Sequence, residues 1–410
     1  MPLFKNHTLP LSELLKLIPD PLFVQIAKDT GVDYYAKVLT GKMMFNLLFF
    51  AMLTMERTGQ RGLADLFSSP QFRMLFPVKK GKTRLSHSSI SERLSEMNVD
   101  FFREVYECIR VRFSEVYPAQ SIGGVLLQRV DSTLVAETSG KLKEGMTCGN
   151  EYKKKKMLKF TLNYDRTYGS CVSTHTQEKY ASESLALPEN VIKHFRKCPD
   201  HASVYLIDRG QSSTSAFDEM NSHEGLRFVG RLQENRRLLR VKTRDTSFKR
   251  FGDGILKEDA LVKLYKREES TDKTGKRVGK QVLTETVYRV IRFRPPDSDN
   301  DIILISNIFN VRAEQIAQWY RRRWDIEVFF RFLKQELNFS HFVSLNENGI
   351  QIVLYMTLIV AMLIRIYKKE NDIGYKTAKR RMEMELQEII LAIAVVRSGG
   401  DLNRISLPAP

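Results

Sequence analysis

The chain has 410 residues, which excludes a single ordinary domain and is enough for two or three. A hydrophobic content of 42% is typical of a soluble globular protein. The formal charge of +17, with a pI of about 9.6, favours a polyanionic partner. Charge alone would also allow an anionic membrane surface or ribosomal RNA.

The cysteines and the longest apolar run indicate the cellular compartment in which we expect the protein. The four cysteines, at positions 108, 148, 171 and 198, form no C-x-x-C pair, and the N-terminal residues resemble no signal peptide. We therefore expect reduced thiols in a cytoplasm. The longest uncharged apolar run, Ile352 to Ile364, is about 13 residues long, too short to span a bilayer, and predicts a buried helix.

The first 118 residues have a helical pattern interrupted at Pro, Gly and polar turns. Gly81 to Leu94 could form the turn and second helix of a helix-turn-helix, with Ser and His side chains available to phosphates and bases. Ser86 to Ser89 would serve equally well as an ordinary helix N-cap. The predicted helices are Leu11–Ile18, Asp20–Asp29, Lys42–Arg57, Gly62–Phe67, Ser86–Glu96 and Asp100–Val116.

Two aspartates stand on or at the end of apolar runs of strand length. Pro118 and Gly123-Gly124 mark a boundary, after which Asp131 lies in a first apolar strand and Asp208 ends a later one, followed by a turn at Gly210. A single aspartate at a strand end is commonly only a cap for the next element. The elements predicted here are strands Val125–Leu134, Leu158–Tyr164, Ser170–Thr176 and Arg227–Leu232, and helices Leu187–Arg196 and Ser212–Asn221.

The pattern changes from about residue 234 to 300, where short apolar alternations are separated by charged and Gly-containing turns. We predict a β-rich segment here, with strands at Leu238–Lys242, Ala260–Tyr265 and Val282–Phe293. A further strand, Ile302–Ile308, follows it, and residues 346 to 397 predict two more helices.

The segment Trp319 to Lys334 contains neither Gly nor Pro and predicts one continuous helix. On such a helix Tyr320, Arg323, Glu327 and Lys334 fall within about 60° of one another. One face then presents a carboxylate beside a phenol and two cations, which suits a divalent metal held against a phosphodiester. A solvated charged face is the simpler interpretation, but it explains the narrow sector less well. The neighbouring stripe of Trp319, Ile326, Phe330, Leu333 and Leu337 is predicted to be core.

The spacing Y-x2-R-x3-E-x6-K, together with Asp131-Ser-Thr and Asp208-Arg-Gly, resembles the signature of DDE transposases of the insertion sequence four family. The resemblance covers roughly residues 121 to 370. It implies an α/β fold with a ribonuclease H-like mixed-sheet core and a β-rich insertion, between an α-helical N-terminal domain and C-terminal helices. The implied boundaries are 1–118 for the DNA-binding domain, 119–233 with 301–345 for the catalytic core, 234–300 for the insertion and 346–410 for the C-terminal helices.

The same resemblance assigns the chemistry. It implies that Asp131, Asp208 and Glu327 bind metal and are catalytic, and that Tyr320, Arg323 and Lys334 bind DNA. Three carboxylates provide oxygen-only ligands, which select Mg²⁺ or Mn²⁺, and two such ions can activate the nucleophile and stabilise the leaving oxygen. The implied activity is cleavage at the inverted-repeat ends of an insertion sequence and transfer of the 3′ ends to target DNA.

The implied partners are double-stranded DNA and a second copy of the chain in a homodimeric synaptic complex, at a bacterial nucleoid rather than a membrane. In this family an aromatic residue of the insertion, often Trp, stacks a flipped base. This insertion has no Trp and offers Phe248, Phe251, Tyr265, Tyr288 and Phe293 instead. Two alternatives to a transposase stay open: a metal-dependent nuclease that cuts without joining, and a non-catalytic DNA-binding derivative.

A competing constellation combines Cys171, His175, His194, Cys198 and His201 into a zinc site. His194 and Cys198 would share one helix face, but the spacing matches no compact zinc pattern. Half-buried polar residues are the simpler interpretation. A Ser or Cys nucleophile with a His base lacks a G-x-S-x-G elbow.

Overall fold

The computed structural model describes residues 4, 7–78, 84–136, 142, 144–148, 155–198, 202–211, 213–245, 250–251, 254–271, 277–296, 298–337, 339 and 344–401. The part before residue 118 is helical there. Polar residues begin several of its helices: the Thr40, Ser69 and Ser86 side chains each accept a hydrogen bond from a backbone N–H of the first turn. The helices are α1 (Leu11–Lys16), α2 (Asp20–Thr30), α3 (Gly41–Thr54), α4 (Gln60–Ser68), α5 (Pro70–Leu75), α6 (His87–Glu96) and α7 (Val99–Val116).

All six helices predicted in this part are present, and none of their ends is shifted by more than three residues. The short helix α5 was not predicted, although Ser69 as N-cap and Pro70 at the first helical position are its sequence signals. The proposed turn of a helix-turn-helix falls on residues 79–83, outside the described residues. Ser86 caps α6, which is the ordinary role that the sequence left open.

The remainder is a mixed α/β fold. Its helices are α8 (Glu183–Lys197), α9 (Thr214–Ser222), α10 (Ala313–Arg321), α11 (Trp324–Glu336), α12 (Glu347–Glu370) and α13 (Tyr375–Arg397), with a short 3₁₀ helix at Glu178–Ala181. Its strands are β1 (Leu126–Ala136), β2 (Met146–Cys148), β3 (Lys155–Tyr164), β4 (Gly169–His175), β5 (Ser203–Ile207), β6 (Phe228–Leu232), β7 (Leu238–Asp245), β8 (Arg250–Phe251), β9 (Gly254–Thr271), β10 (Arg277–Leu283), β11 (Tyr288–Arg294) and β12 (Ile302–Ser306).

The described strands form one large mixed sheet in the order β10-β9-β11-β12-β6-β5-β1-β3-β2, with β4 also on β3 and with β7 and β8 also on β9. Strand β5 runs parallel to both β1 and β6, and the other pairs are antiparallel. Strands β7 to β11 therefore extend the central sheet through the β11–β12 pair. The prediction of a single strand over Val282–Phe293 was wrong, because a turn divides the segment into β10 and β11. In that turn the Thr284 hydroxyl donates to the Thr286 carbonyl.

Helices cover both faces of the sheet. Helices α8 and α9 pack on one face, where Val130, Tyr205 and Phe217 share a core. Helices α10, α11 and α12 lie on the other, where the Tyr164 ring of β3 stacks on Phe329 of α11 with centroids 4.3 Å apart.

Helix α12 is the centre of the largest core, which it shares with the N-terminal helices, β3 and α11. By length and composition it could cross a membrane, but 89% of its most apolar 18-residue window is buried inside the protein. The sequence prediction of a buried helix at Ile352–Ile364 is confirmed.

A buried ion pair ties strands β9 and β11 together. Arg289 of β11 donates to both carboxylate oxygens of Asp259 of β9, at 2.9 and 2.7 Å, and both side chains are almost fully buried. Removing Asp259 would leave the Arg289 charge desolvated without a carboxylate partner among the described residues.

We expect Asp259→Ala to lower the free energy of unfolding by about 3–5 kcal/mol, because Arg289 would stay buried and unpaired. The double variant Asp259→Ala/Arg289→Met should recover most of that loss. Glu13→Gln, which breaks the exposed pair with Lys16, is the control and should cost less than about 1 kcal/mol. Urea unfolding measures all three, and a double variant no more stable than Asp259→Ala would contradict the account.

Candidate active site

Two neighbouring parallel strands place the predicted aspartates side by side. In the β1–β5 register Val130 is paired with Ile207, so Asp131 and Asp208 are the next residues of the two strands. Because side chains alternate along a strand, Val130 packs under α8 and α9 while Asp131 faces α11. Asp208 follows the last residue of β5 and opens the turn that includes Gly210. A side chain at Gly210 would collide with Glu183, since a Cβ there would lie 2.9 Å from the Glu183 Cγ.

The signature segment is not one helix, and this prediction was wrong. Helix α10 ends at Arg321, and α11 begins at Trp324. A buried arginine on β1 holds the junction: Arg129 donates from Nε to the Arg322 carbonyl at 3.0 Å and from Nη2 to the Asp325 carboxylate at 3.0 Å. The Arg322 carbonyl also accepts the Asp325 backbone N–H, and the backbone bonds at the junction span three residues instead of four. The apolar stripe remains core as predicted, with all five of its members buried.

The junction brings Arg323 into contact with all three predicted acids. Its Nη1 lies 3.6 Å from the Asp131 Oδ2, and its Nε lies 3.5 Å from the Asp208 Oδ1. Its Nη2 donates to the Glu327 Oε1, one turn further along α11. Burial alone would lower the pKa of Arg323, but Asp208 and Glu327 raise it, so the guanidinium stays charged. One cation therefore holds three carboxylates that come from β1, from the end of β5 and from α11.

The two remaining signature residues occupy different places. Tyr320 ends up on α10, buried, with its hydroxyl beside the Arg323 guanidinium but in no hydrogen bond of good geometry with it. Burial raises its pKa, so the phenol is neutral. Lys334 lies about 10 Å further along α11 than Glu327. Its ammonium donates to the Leu134 carbonyl near the end of β1, at 3.0 Å. The structure thus brings Arg323 and the three acids together, places Tyr320 next to them and keeps Lys334 apart.

A second polar network, which was not predicted from the sequence, supports Asp131 through Ser132, the next residue of β1. The Ser132 backbone N–H donates to the Asp131 Oδ1 at 2.8 Å, and the Ser132 hydroxyl donates to Glu183 at 2.8 Å. Glu183 also pairs with the fully buried Lys159 of β3 at 2.9 Å. The sequence signal for this network was Lys159, a lysine at a core position of an apolar strand. Arg129 in β1 was a signal of the same kind for the junction between α10 and α11.

Comparisons with known proteins identify the family. The family model described as "Transposase DDE domain" matches residues 128–363, which is more than half of the chain. The chain is 37% identical over 391 residues to a probable transposase for insertion sequence element IS5377 of Geobacillus stearothermophilus, covering 90% of this chain and 88% of that protein. This chain belongs to the DDE transposases of insertion sequences.

Two further proteins are similar to this transposase. A putative transposase for insertion sequence element IS4SA of Synechocystis is 21% identical, covering 70% of this chain and 73% of that protein. Among solved structures, a piggyBac transposase synaptic complex with hairpin DNA has 12% identity and a TM-score of 0.45, covering 100% of this chain and 84% of that one.

The donor set of this transposase fits a hard divalent cation, because it is made of oxygen atoms alone and already converges on one positive charge. Among the described residues no three His, Cys, Asp or Glu side chains stand close enough together to hold a metal ion. In the triad the Arg323 guanidinium lies between the carboxylates.

The competing zinc constellation is not assembled among the described residues. His194 bonds through Nδ1 to the Tyr205 hydroxyl at 2.8 Å, and His175 packs against the Tyr180 ring with centroids 4.1 Å apart. His201 lies outside the described residues. The aromatic candidates of the insertion are in part core residues, since Tyr288 and Phe293 are buried; Phe248 is also outside the described part.

Burying the charge of Asp131 is unfavourable. Its pKa is raised to about 7, mainly by burial and also by Asp208 and Glu183, while the Ser132 N–H and Arg323 oppose the shift. The folded chain therefore binds this proton more tightly than the unfolded chain, so the contribution of Asp131 to stability falls as the pH rises from about 4 to about 7.

We expect Asp131→Asn to be more stable than the wild type at pH 8, by about 2–4 kcal/mol, because the variant buries no negative charge. The advantage should shrink as the pH is lowered from 7 to 5, where Asp131 of the folded wild type takes up its proton. Urea unfolding at several pH values measures the difference between the two proteins. A difference that does not vary with pH would contradict the raised pKa.

Proposed function

We propose that this protein is an active DNA transposase that cleaves DNA at the inverted-repeat ends of an insertion sequence and transfers the 3′ ends into target DNA. The observation that carries the proposal is the convergence of Asp131, Asp208 and Glu327 on Arg323. Three acids from distant parts of the chain surround one cation at the edge of a sheet, beside the basic run Arg321-Arg322-Arg323 at the junction of α10 and α11.

In this proposal Asp131, Asp208 and Glu327 would hold two divalent metal ions, either Mg²⁺ or Mn²⁺. Ions bound there would lower the pKa of the attacking water or 3′ hydroxyl and would neutralise charge on the leaving oxygen. Asp131 and Asp208 present their carboxylates from adjacent strands, and Glu327 closes the site from α11. Arg129 acts as a positioning residue, because its bonds to the Arg322 carbonyl and Asp325 fix the junction before Glu327.

Arg323 exchanges partners in this mechanism. Its guanidinium leaves the carboxylates and binds a phosphate of the DNA, for which its planar array of N–H groups is suited. The Arg323 Nη1 and the Tyr320 hydroxyl are buried without hydrogen-bond partners among the described residues, and phosphate oxygens would supply those partners. Lys334 binds the backbone further along the same helix.

The bond changes follow from the substrate. In hydrolysis a water oxygen bonds to phosphorus, the bond from phosphorus to the 3′ oxygen breaks, and that oxygen takes a proton. In strand transfer the freed 3′ hydroxyl attacks a target phosphorus and loses its proton, while the 3′ oxygen of the target leaves and becomes a hydroxyl.

The strand order β4-β3-β1-β5-β6, with β5 parallel to both neighbours, supports a ribonuclease H-like core. We further propose a homodimer that pairs two DNA ends and acts in the bacterial cytoplasm at the nucleoid. The proposed domains are residues 1–118 for binding end DNA, 119–233 with 301–345 for catalysis, 234–300 for the β-rich insertion and 346–410 for the C-terminal helices.

We expect Glu327→Gln to lower Mg²⁺-dependent cleavage of a plasmid carrying the element's ends by roughly a thousandfold or more, since a metal ligand would be lost. Binding of the ends, measured without metal, should stay within a few-fold of the wild type. Glu336→Gln is the matched control: Glu336 lies on the same helix and pairs with Lys376 at 3.9 Å, so cleavage should not change.

Undiminished cleavage by Glu327→Gln would refute the assignment of the triad. Wild-type cleavage without joining of a pre-cut end to a plasmid would identify a nuclease instead. End binding with no cleavage by the wild type in Mg²⁺ or Mn²⁺ would identify a non-catalytic derivative.

A further inference from the structure

A second cationic site lies outside the signature. A cavity of about 200 Å³ is lined by Arg166, Arg365, Lys368 and Lys369. We call these four residues the cation pocket. The other lining residues are Gln120, Thr167 and Asp372, so the described lining contains four cations and one carboxylate.

Arg365 is fixed in the pocket without a counter-ion. Its guanidinium carbon lies 5.3 Å from the centre of the Tyr164 ring and 5.7 Å from that of Tyr375, and it donates to the Tyr375 hydroxyl. Lys368 lies over the same Tyr375 ring at 5.2 Å. Neither Arg365 nor Lys368 makes an ion pair with a carboxylate among the described residues. The two tyrosine rings attract and orient the Arg365 cation without neutralising its charge, so the pocket favours an anionic ligand.

The opposite wall of the pocket is a rigid turn. Arg166 adopts a φ of +89°, which a residue with a side chain rarely does. The turn is held by Asp165, whose Oδ1 accepts the backbone N–H groups of Thr167 and Tyr168 at 2.7 Å each. The Tyr164 hydroxyl donates to the Arg166 carbonyl at 2.8 Å. The surroundings thus fix Arg166 in a strained conformation on the side facing Arg365.

The pocket adjoins the proposed active site. The Arg166 Nε is 3.9 Å from the Asp325 Oδ2, and Asp325 follows Arg323 by two residues at the start of α11. A DNA strand carries one phosphate per about 3.4 Å of helix axis, so DNA that reaches Arg323 has further phosphates nearby.

We propose that the cation pocket binds a phosphate of the DNA backbone and so provides a sequence-independent contact beyond the residues of the signature. The inference rests on DNA being the partner, as in the proposed function. The size of the cavity suits a single phosphate group, and Arg365 supplies planar N–H donors for it. The DNA can be the transposon end or the target, since the chemistry of the ligand is the same.

The test is the salt dependence of DNA binding by the full chain in EDTA, followed by fluorescence anisotropy. Arg365→Gln should make the slope of log K against log salt shallower by about 0.9, the value for one lost phosphate contact. Lys376→Gln is the matched control: it removes one positive charge next to Tyr375 from a side chain that is 85% exposed and outside the pocket, and it should leave the slope unchanged. Lys368→Gln is measured in parallel, because it removes a pocket cation without disturbing the contacts between Arg365 and the two tyrosines.

Two probes separate the sources of the phosphate: a duplex of the element's terminal repeat and a duplex of scrambled sequence. A shallower slope with both assigns the pocket to any DNA backbone, target included, and a change with the terminal repeat alone assigns it to the end. Wild-type slopes for both pocket variants, or an equal change in Lys376→Gln, would overturn the proposal. The binding assay contains no metal, so its result does not depend on cleavage. A chain that binds DNA but does not cut it in Mg²⁺ or Mn²⁺ would refute the proposed function and leave this test intact.

Discussion

The structure of the site depends on one guanidinium held among three carboxylates. Asp131, Asp208 and Glu327 would repel one another in a partly buried pocket, and the repulsion rises as water is excluded. Arg323 relieves it by touching all three. Asp131 still has a raised pKa, which shows that one cation does not fully offset the burial of that charge. Because burying these carboxylates is costly, the site favours the binding of positive charge.

The rest of the fold holds these groups at one edge. The parallel β1–β5 pair sets the two aspartates next to each other, and the Glu183–Lys159 pair fixes the backbone of Ser132 behind Asp131. On the other side, Arg129 pins the junction between α10 and α11, which turns Arg323 towards the strands. Strands β7 to β11 lengthen the same sheet, and the buried pair of Asp259 and Arg289 joins β9 to β11.

The sequence was informative wherever local pattern decides the structure. Apolar runs ending on Asp131 and Asp208 predicted their strands, and the stripe from Trp319 to Leu337 predicted a core face, because both patterns reflect burial along one element. The break at Arg322 could not be predicted in this way, since Arg129, which holds the junction, lies almost 200 residues earlier. Contacts between Arg323 and the acids also depend on how distant elements pack. The cation pocket was missed for the same reason: Arg166 and Arg365 lie almost 200 residues apart in the sequence and meet only through the packing of α12 on the sheet.

The most direct test of the account is Mn²⁺ binding to the DNA-free protein, measured by isothermal titration calorimetry for Arg323→Gln and for Arg322→Gln, its exposed neighbour. If Arg323 occupies the position that a metal ion would share with the three acids, Arg323→Gln should bind Mn²⁺ more tightly than the wild type, and Arg322→Gln should bind it as the wild type does. Weaker or unchanged binding by Arg323→Gln would contradict the idea that the three carboxylates form a single cation site.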